Sequence, residues 1–124
     1  MIAFKNGSFF KLAAIDPAKL ADRVAPLLVD DEEVLAAFKD IRDSVVFTNK
    51  RVIAINVQGI TGKKVDYTSL PYSKVQAFSV ETAGFFDLDC ELDLFFSSIG
   101  QIPFELRGCD DIIALNRIIA SYVL

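Results

Sequence analysis

Four carboxylates recur at every second position in the last third of the chain: Asp87, Asp89, Glu91 and Asp93. A period of two places all four on one face of a strand, opposite leucines and a cysteine. Three interpretations stay open: a cation or acid–base site, the polar face of a half-buried strand, and a contact with another copy. An EF-hand calcium loop is excluded because Leu92 stands where that loop requires glycine.

Basic residues concentrate in the middle of the chain. Residues 39–74 hold seven basic and three acidic side chains, a net charge of +4, whereas the whole chain carries −4. This asymmetry indicates either a local anion site or solvated strand ends. Asp40 and Asp43 weaken the positive field at the first of these cations. The candidate anion-binding residues are Lys39, Arg42, Lys50, Arg51, Lys63 and Lys64.

A glycine-rich segment, GITGKK at residues 59–64, superficially resembles a phosphate-binding loop. The Walker motif has four residues between its glycines and a serine or threonine after the lysine. Here two residues separate the glycines, and a second lysine follows the first. The segment also leads into a strand pattern, so no helix N-terminus follows to bind phosphate. We therefore predict a glycine hairpin loop.

The chain contains no histidine, which excludes Ser-His-Asp and Cys-His catalytic arrangements and histidine-ligated metals. Its two cysteines, Cys90 and Cys109, have neither metal-ligand nor redox spacing. We predict no catalytic residues, no metal site and no cofactor. The net negative charge also argues against nucleic-acid binding, which needs a basic footprint.

Alternating apolar residues predict seven strands, and two helices flank them. A helix begins at Asp16-Pro17, and a second begins after Asp110 and runs to about Tyr122. Residues 1–15 are expected to be an irregular or weakly helical N-terminal extension, and residues 16–124 a single domain. The fold class is mainly β (α+β), a small orthogonal sandwich or barrel that a helix closes. The predicted strands are Val34–Phe38, Ser44–Thr48, Arg51–Val57, Lys63–Ser69, Lys74–Thr82, Leu88–Ser97 and Ile102–Arg107.

Several segments together are similar to the bacterial pleckstrin-homology (PH) domain family: FTNKR, QGITGKK, SLPY and FSVETAGFFDLD, between residues 47 and 89. The resemblance implies a PH-like barrel of about seven antiparallel strands in two orthogonal sheets, with a C-terminal capping helix and an extra N-terminal helix. It also implies ring-shaped homo-oligomers without enzymatic activity. Phosphoinositide binding does not carry over, because the first hairpin loop, residues 39–43, is short and nearly neutral.

Hydrophobic residues make up 52% of the chain, which requires either a dense core or an interface between copies. We predict a non-enzymatic interaction and assembly domain, a ring-like homo-oligomer that presents a surface to an unidentified protein partner. The alternating carboxylates are the candidate contact between copies. The alternative is a module that binds anions or the phospholipid head groups of a membrane surface. With no secretory signal and no long apolar run, the predicted location is cytoplasmic.

Overall fold

The computed structural model describes residues 11–82, 89–108 and 112–124 of the chain. Strands dominate these ranges, and one helix stands near each end. Short 3₁₀ turns at Ala25–Leu27 and Tyr72–Lys74 separate neighbouring elements. In chain order, the elements are β1 Lys11–Ile15, α1 Ala18–Val24, β2 Val34–Lys39, β3 Asp43–Thr48, β4 Arg51–Gln58, β5 Lys64–Pro71, β6 Val75–Thr82, β7 Cys90–Phe96, β8 Gly100–Arg107 and α2 Ile112–Val123.

The strands form one sheet in the order β5-β4-β3-β2-β1-β8-β7-β6. Within the described residues all seven predicted strands are confirmed, with small shifts at their ends. Leu88, the predicted first residue of the sixth, lies outside those residues. They form an antiparallel group of four, β2 to β5, and an antiparallel group of three, β6 to β8. The expectation of two separate sheets is corrected: β1 pairs with β2 of one group and β8 of the other, and so joins them into one sheet.

Strand β1 corrects the expectation that residues 1–15 are irregular or weakly helical, as far as Lys11–Ile15 are concerned. It pairs antiparallel with β2 and parallel with β8, where Leu12 lies opposite Leu106. Leu12 is fully buried in the core, whereas its neighbours Lys11 and Ala13 are exposed. Inter-strand hydrogen bonds and one buried leucine therefore define this strand. Residues 1–10 lie outside the described ranges.

The main core lies between the two strand groups and α2. Phe47 occupies its centre and makes edge-to-face contacts with Phe38 and Phe104, at ring-centroid distances of 5.8 and 6.5 Å. From α2, Leu115 and Ile119 are buried in this core. The helix ends one residue past the predicted Tyr122, and its predicted start at Asp110 lies outside the described residues. The helix packs against β6 and the second 3₁₀ turn, and so covers the corner where β5 passes into β6.

A second, smaller core lies under α1. Leu20 and Val24 of the helix pack on residues of β2, β3 and β4, including Ile53 and Ile55. The Asp16 carboxylate accepts a hydrogen bond of 3.0 Å from the backbone N–H of Ala18, the first residue of the helix. The helix thus covers the outer face of the first strand group. The buried residues of α2, in contrast, belong to the main core on the inner side of β6, β7 and β8.

Candidate functional site

The six candidate anion-binding residues lie at two ends of the molecule. Lys39, Arg42, Lys63 and Lys64 lie in or beside the β2–β3 and β4–β5 connections, which meet at one end of the first strand group. Lys50 and Arg51 belong to the β3–β4 turn, which lies at the opposite end because β3 and β4 are antiparallel. A single site that uses all six is therefore not formed.

Arg51 is held by groups of its own chain. Its guanidinium donates from Nε and Nη2 to the two carboxylate oxygens of Glu32, each at 2.9 Å. It also donates to the carbonyl oxygen of Leu27 at 2.6 Å and to the Ser69 hydroxyl at 2.9 Å. The Glu32 side chain is 0% exposed and that of Arg51 is 20% exposed. Arg51 therefore neutralises a buried carboxylate and is not available to an external anion.

The β3–β4 turn completes this arrangement. The Thr48 hydroxyl donates to Glu32 at 2.7 Å and accepts hydrogen bonds from the backbone N–H groups of Lys50 and Arg51, both at 3.0 Å. Burial alone would raise the pKa of Glu32, but the hydrogen bonds from Arg51, Thr48 and the backbone of Val29 outweigh burial and lower it. The group formed by Glu32, Thr48 and Arg51 is called the turn staple below.

At the other end, the β2–β3 turn is organised by an aspartate. The Asp40 carboxylate accepts hydrogen bonds from the backbone N–H groups of Arg42 and Asp43, at 2.8 and 2.7 Å. The Asp40 N–H donates to the carbonyl of Asp43 at 2.8 Å and closes the turn. Ile41, the residue that follows Asp40 in this turn, has a side chain that is 96% exposed. Asp40 therefore acts on the backbone and directs Ile41 outward.

The neighbouring β4–β5 loop projects a second isoleucine. Gly59 and Gly62 have φ angles of 77° and 66°, a region that glycine adopts without steric cost. Between them, Ile60 is fully exposed, at 104% of its reference area. The predicted glycine hairpin loop is confirmed, since the segment leads into β5. The Arg42 guanidinium donates to the carbonyl of Gly59, which joins the two loops.

A groove of about 310 Å³ lies between these two loops. Both isoleucines and three cations, Arg23, Lys39 and Arg42, line it. Asp43 also lines it, but its carboxylate accepts a hydrogen bond of 2.8 Å from the Asn56 side chain. Burial and the nearby charge of Asp40 raise the pKa of Asp43. Ile41, Ile60, Lys39 and Arg42 form what we call the loop-tip surface.

Of the four alternating carboxylates, Glu91 and Asp93 lie within β7, on the face opposite its buried leucines. Cys90, Leu92 and Leu94 are buried on the core side, while Glu91 points to the opposite face. Asp93 is only 7% exposed and accepts a hydrogen bond of 2.9 Å from the Gln101 side chain. Asp89 lies just before the strand, and Asp87 lies outside the described residues.

Register brings two further glutamates beside Glu91, which sequence reasoning missed. Glu81 of β6 and Glu105 of β8 both lie directly opposite it, so three carboxylates form a row across three strands. Lys11 of β1 continues the row beside Glu105. Burial, followed by the charges of Asp93 and the other two glutamates, raises the pKa of Glu91. Glu81, Glu91 and Glu105 are called the carboxylate row.

The carboxylate row borders a surface cavity of about 370 Å³, which Asp89 and Arg107 also line. Across the described ranges, no cluster of three or more histidine, cysteine or acidic side chains has an arrangement that could hold a metal ion. In the same ranges, no helix has both the length and the apolar character needed to cross a bilayer.

Relatives of this chain are found both among known sequences and among solved structures. The Bacillus subtilis (strain 168) protein YjqA is 37% identical over 122 residues, which span 97% of this chain and 98% of YjqA. The crystal structure of a pleckstrin-homology domain protein from Shewanella loihica PV-4 is 41% identical with a TM-score of 0.78, and the match covers 93% of this chain and 99% of that chain.

A second crystal structure, the pleckstrin-homology domain from Shewanella amazonensis SB2B, is 46% identical with a TM-score of 0.64, over 89% of this chain and 90% of that chain. The model of the bacterial PH domain family matches residues 3–123. The resemblance read from the sequence segments is thus confirmed, and so is the PH-like fold. The chain belongs to the bacterial PH domain family.

Proposed function

We propose that this chain is a non-catalytic interaction domain that assembles head to tail with copies of itself, through the carboxylate row. The observation that carries the proposal is the row itself. Like charges directly opposite one another in a sheet repel, and Lys11 flanks the row at one end only. Cations supplied by a neighbouring copy would relieve that repulsion.

The location of the row also favours an intermolecular contact. Glu81 and Glu105 are exposed, and β6 is the last strand of the sheet within the described ranges. An outermost strand offers backbone donors and acceptors as well as side chains to another chain. The buried residues of α1 pack on the first strand group and those of α2 pack in the main core, so neither helix adds a buried residue to the outer face of β6, β7 and β8. This region therefore combines charge, backbone groups and access.

The sign of the charge determines the symmetry of the contact. Two copies joined through the same patch would place carboxylates against carboxylates, which disfavours an isologous dimer. A heterologous contact pairs the row with a cationic patch instead, and it closes into a ring where the rotation between copies allows. The exposed lysines at the start of β5, Lys63 and Lys64, are the proposed complement.

The absence of histidine supports a non-catalytic role, because the common acid–base and nucleophilic arrangements need it. Membership in the bacterial PH domain family points the same way. The proposed role is therefore binding and assembly, in which repeated copies present a composite surface to a protein partner.

The test is solution mass by light scattering, at low salt and at about 1 M salt, where screening acts within about 3 Å. We expect a discrete multimer of the 13.7 kDa chain that dissociates at high salt. A monomer at all concentrations would contradict assembly. A multimer that persists in high salt would keep assembly but move its interface to apolar surface.

Charge exchange locates the contact. Glu81→Lys and Lys64→Glu should each dissociate the multimer, and the double variant should restore it, because the pair is exchanged and not lost. Asp22→Lys is the matched control, an exposed acid on α1 outside both patches. If the double variant stays monomeric while each chain remains folded, these two residues do not face each other.

A further inference from the structure

The two outermost strands of the described sheet, β5 and β6, are protected to different degrees. An edge strand leaves backbone N–H and C=O groups unpaired, and proteins commonly guard such an edge with lysine, proline or a covering element. Strand β5 begins with Lys64 and ends with Pro71. Strand β6, with the sequence VQAFSVET, contains no lysine, arginine or proline, and Glu81 is its one charged residue. Of the two edges, β6 is therefore the less protected.

The regular part of β6 is long enough to pair with another strand. Its register shift lies between Val75 and Ala77, and from Ala77 to Thr82 the pairing with β7 has no irregularity. In an antiparallel pair, alternate residues direct their N–H and C=O groups to the neighbour, and the residues between them direct theirs to the other side. Within the described ranges, β7 is the one strand that pairs with β6. The other side of residues 77–82 therefore presents a regular row of backbone donors and acceptors.

The main core is also less covered along β6 than along β5. Phe78 and Val80 of β6 pack against this core, yet both side chains remain partly exposed, even though α2 packs against the same strand. On β5, Thr68 and Leu70 are buried. A strand added to β6 would place alternate side chains beside Phe78 and Val80 and cover their remaining surface. The core-facing positions of that strand must therefore be apolar.

The charge of the opposite face specifies the rest of the occupant. Glu81 alternates with Phe78 and Val80 along β6, so it points away from the core, in the carboxylate row. A residue of an added strand that lay directly opposite Glu81 would extend this row by one position. A carboxylate there would add repulsion, whereas lysine or arginine would relieve it. The occupant that fits is an extended segment with apolar residues on one face and a cation on the other.

A second copy of this chain fits the β6 edge less well. Successive residues of a strand point to opposite faces, so β5 directs Lys64 and Asp66 to the same side as the buried Leu70. If β5 of a second copy paired with β6, these charged side chains would lie beside the apolar residues of β6. A second β6 would bring its own Glu81 to a face that is already acidic. The edge is therefore better suited to a segment of a different protein.

We propose that the β6 edge binds an extended segment of a partner protein, which pairs with residues 77–82 as an additional strand. Apolar side chains of that segment lie beside Phe78 and Val80, and a lysine or arginine lies opposite Glu81. Such pairing takes affinity from backbone hydrogen bonds and specificity from alternate side chains. The inference rests on the proposed binding role and states the chemistry of the partner. It does not rest on assembly, because a monomer presents the same edge.

Fluorescence polarisation with labelled synthetic peptides tests the proposal on the full chain. The probe alternates valine with serine and carries one lysine in place of a serine, and we expect it to bind. Two further versions are methylated on alternate backbone nitrogens, so that only one of them loses the N–H groups that face β6. Their affinities should differ by at least about tenfold, because several backbone hydrogen bonds are lost in one version and none in the other.

Changes on the protein side locate the contact. A probe with glutamate in place of lysine should bind about two- to fivefold more weakly, and Glu81→Gln should reduce that difference. Glu33→Gln, an exposed acid just before β2, is the matched control and should retain it. Hydrogen exchange in the presence of the lysine probe should slow at alternate amides of β6 and stay unchanged at the amides of β5.

Two outcomes would overturn the inference. One is equal affinity of the two methylated versions, which would show that the probe does not pair with a strand. The other is β6 amides that become protected as protein concentration rises, with no binding of the probe at any concentration, because a second copy then occupies the edge. Light scattering of the same samples separates the two proposals. A monomer that binds the lysine probe would contradict assembly and support pairing at β6, whereas a multimer that never binds it would do the reverse.

Discussion

Glu32 and Glu91 are two carboxylates whose surroundings shift their pKa values in opposite directions. In the turn staple, Glu32 receives two hydrogen bonds from one guanidinium and one from a hydroxyl, and its pKa is lowered. In the carboxylate row, Glu91 lies between two other glutamates, and its pKa is raised. The first carboxylate is paired with a cation of its own chain, whereas the second faces other carboxylates across the sheet.

The difference follows from which elements supply the neighbours. The turn staple joins the segment before β2 to the β3–β4 turn, so an acid and a cation from different parts of the chain meet and neutralise each other. The carboxylate row is produced by the pairing of three strands, each of which contributes the same charge. The second arrangement does not stabilise the isolated fold, and this is the reason for our proposal that it contacts other copies.

The largest expected effect comes from breaking the turn staple. Arg51→Met leaves the Glu32 carboxylate buried without its cation, which should lower the free energy of unfolding by about 3 kcal/mol. Breaking a buried ion pair costs about 3 to 5 kcal/mol, and the low end applies because Arg51 is 20% exposed. Urea unfolding followed by circular dichroism measures it, with Lys50→Met, the exposed neighbour, as the control.

The same variant has a defined pH dependence. A lowered pKa means that Glu32 stabilises the fold above its ordinary value of 4.5, and that this contribution is lost as pH falls through the folded-state value. The gap between the natural chain and Arg51→Met should therefore narrow in acid. An unchanged gap, or equal stabilities of Arg51→Met and Lys50→Met at pH 7, would show that the staple contributes little.

A smaller effect is expected from Thr48→Val, which keeps the shape of the side chain and removes its hydroxyl. Glu32 loses one donor, and the backbone N–H groups of Lys50 and Arg51 lose their acceptor. The cost should be about 1 to 2 kcal/mol. Thr61→Val, in an exposed loop, should stay within about 0.5 kcal/mol. Similar losses in both variants would contradict the role given to the hydroxyl.

The strand pattern could be predicted from sequence because β3 and β4 are apolar runs rich in valine and isoleucine, while β7 and β8 alternate apolar and polar residues. Strand β1 could not, because KLAAI contains two alanines and a single β-branched residue. Its state depends on β2 and β8, which lie far away in the chain and hold it from both sides. The joining of the two strand groups into one sheet was missed for the same reason.

The candidate sites divide in the same way. The alternation of Asp89, Glu91 and Asp93 is a local pattern and indicated an acidic face. The addition of Glu81 and Glu105 depends on strand register, which sequence periodicity does not set. Likewise, the glycines predicted the loop that carries Ile60, but its approach to Ile41 depends on tertiary packing.

The smallest effect tests the other half of the comparison. Because the pKa of Glu91 is raised, its protonated form favours the fold, and that stabilisation is lost as pH rises from 4.5 through the folded-state value. Glu91→Gln should therefore stabilise the monomer at pH 7, by less than about 0.5 kcal/mol because water still reaches the group. The gain should vanish below pH 4.5, whereas the exposed control Glu33→Gln should show none.

If the carboxylate row is a contact between copies, the effect of Glu91→Gln on stability changes sign with protein concentration. In a dilute sample the amide relieves repulsion, and thermal unfolding should shift upward. In a sample concentrated enough to assemble, the same amide removes a charge that the lysines of the next copy neutralise, and the multimer should weaken. A stabilising effect of Glu91→Gln at both concentrations would place the carboxylate row outside the interface and leave its repulsion as a cost that the rest of the sheet offsets.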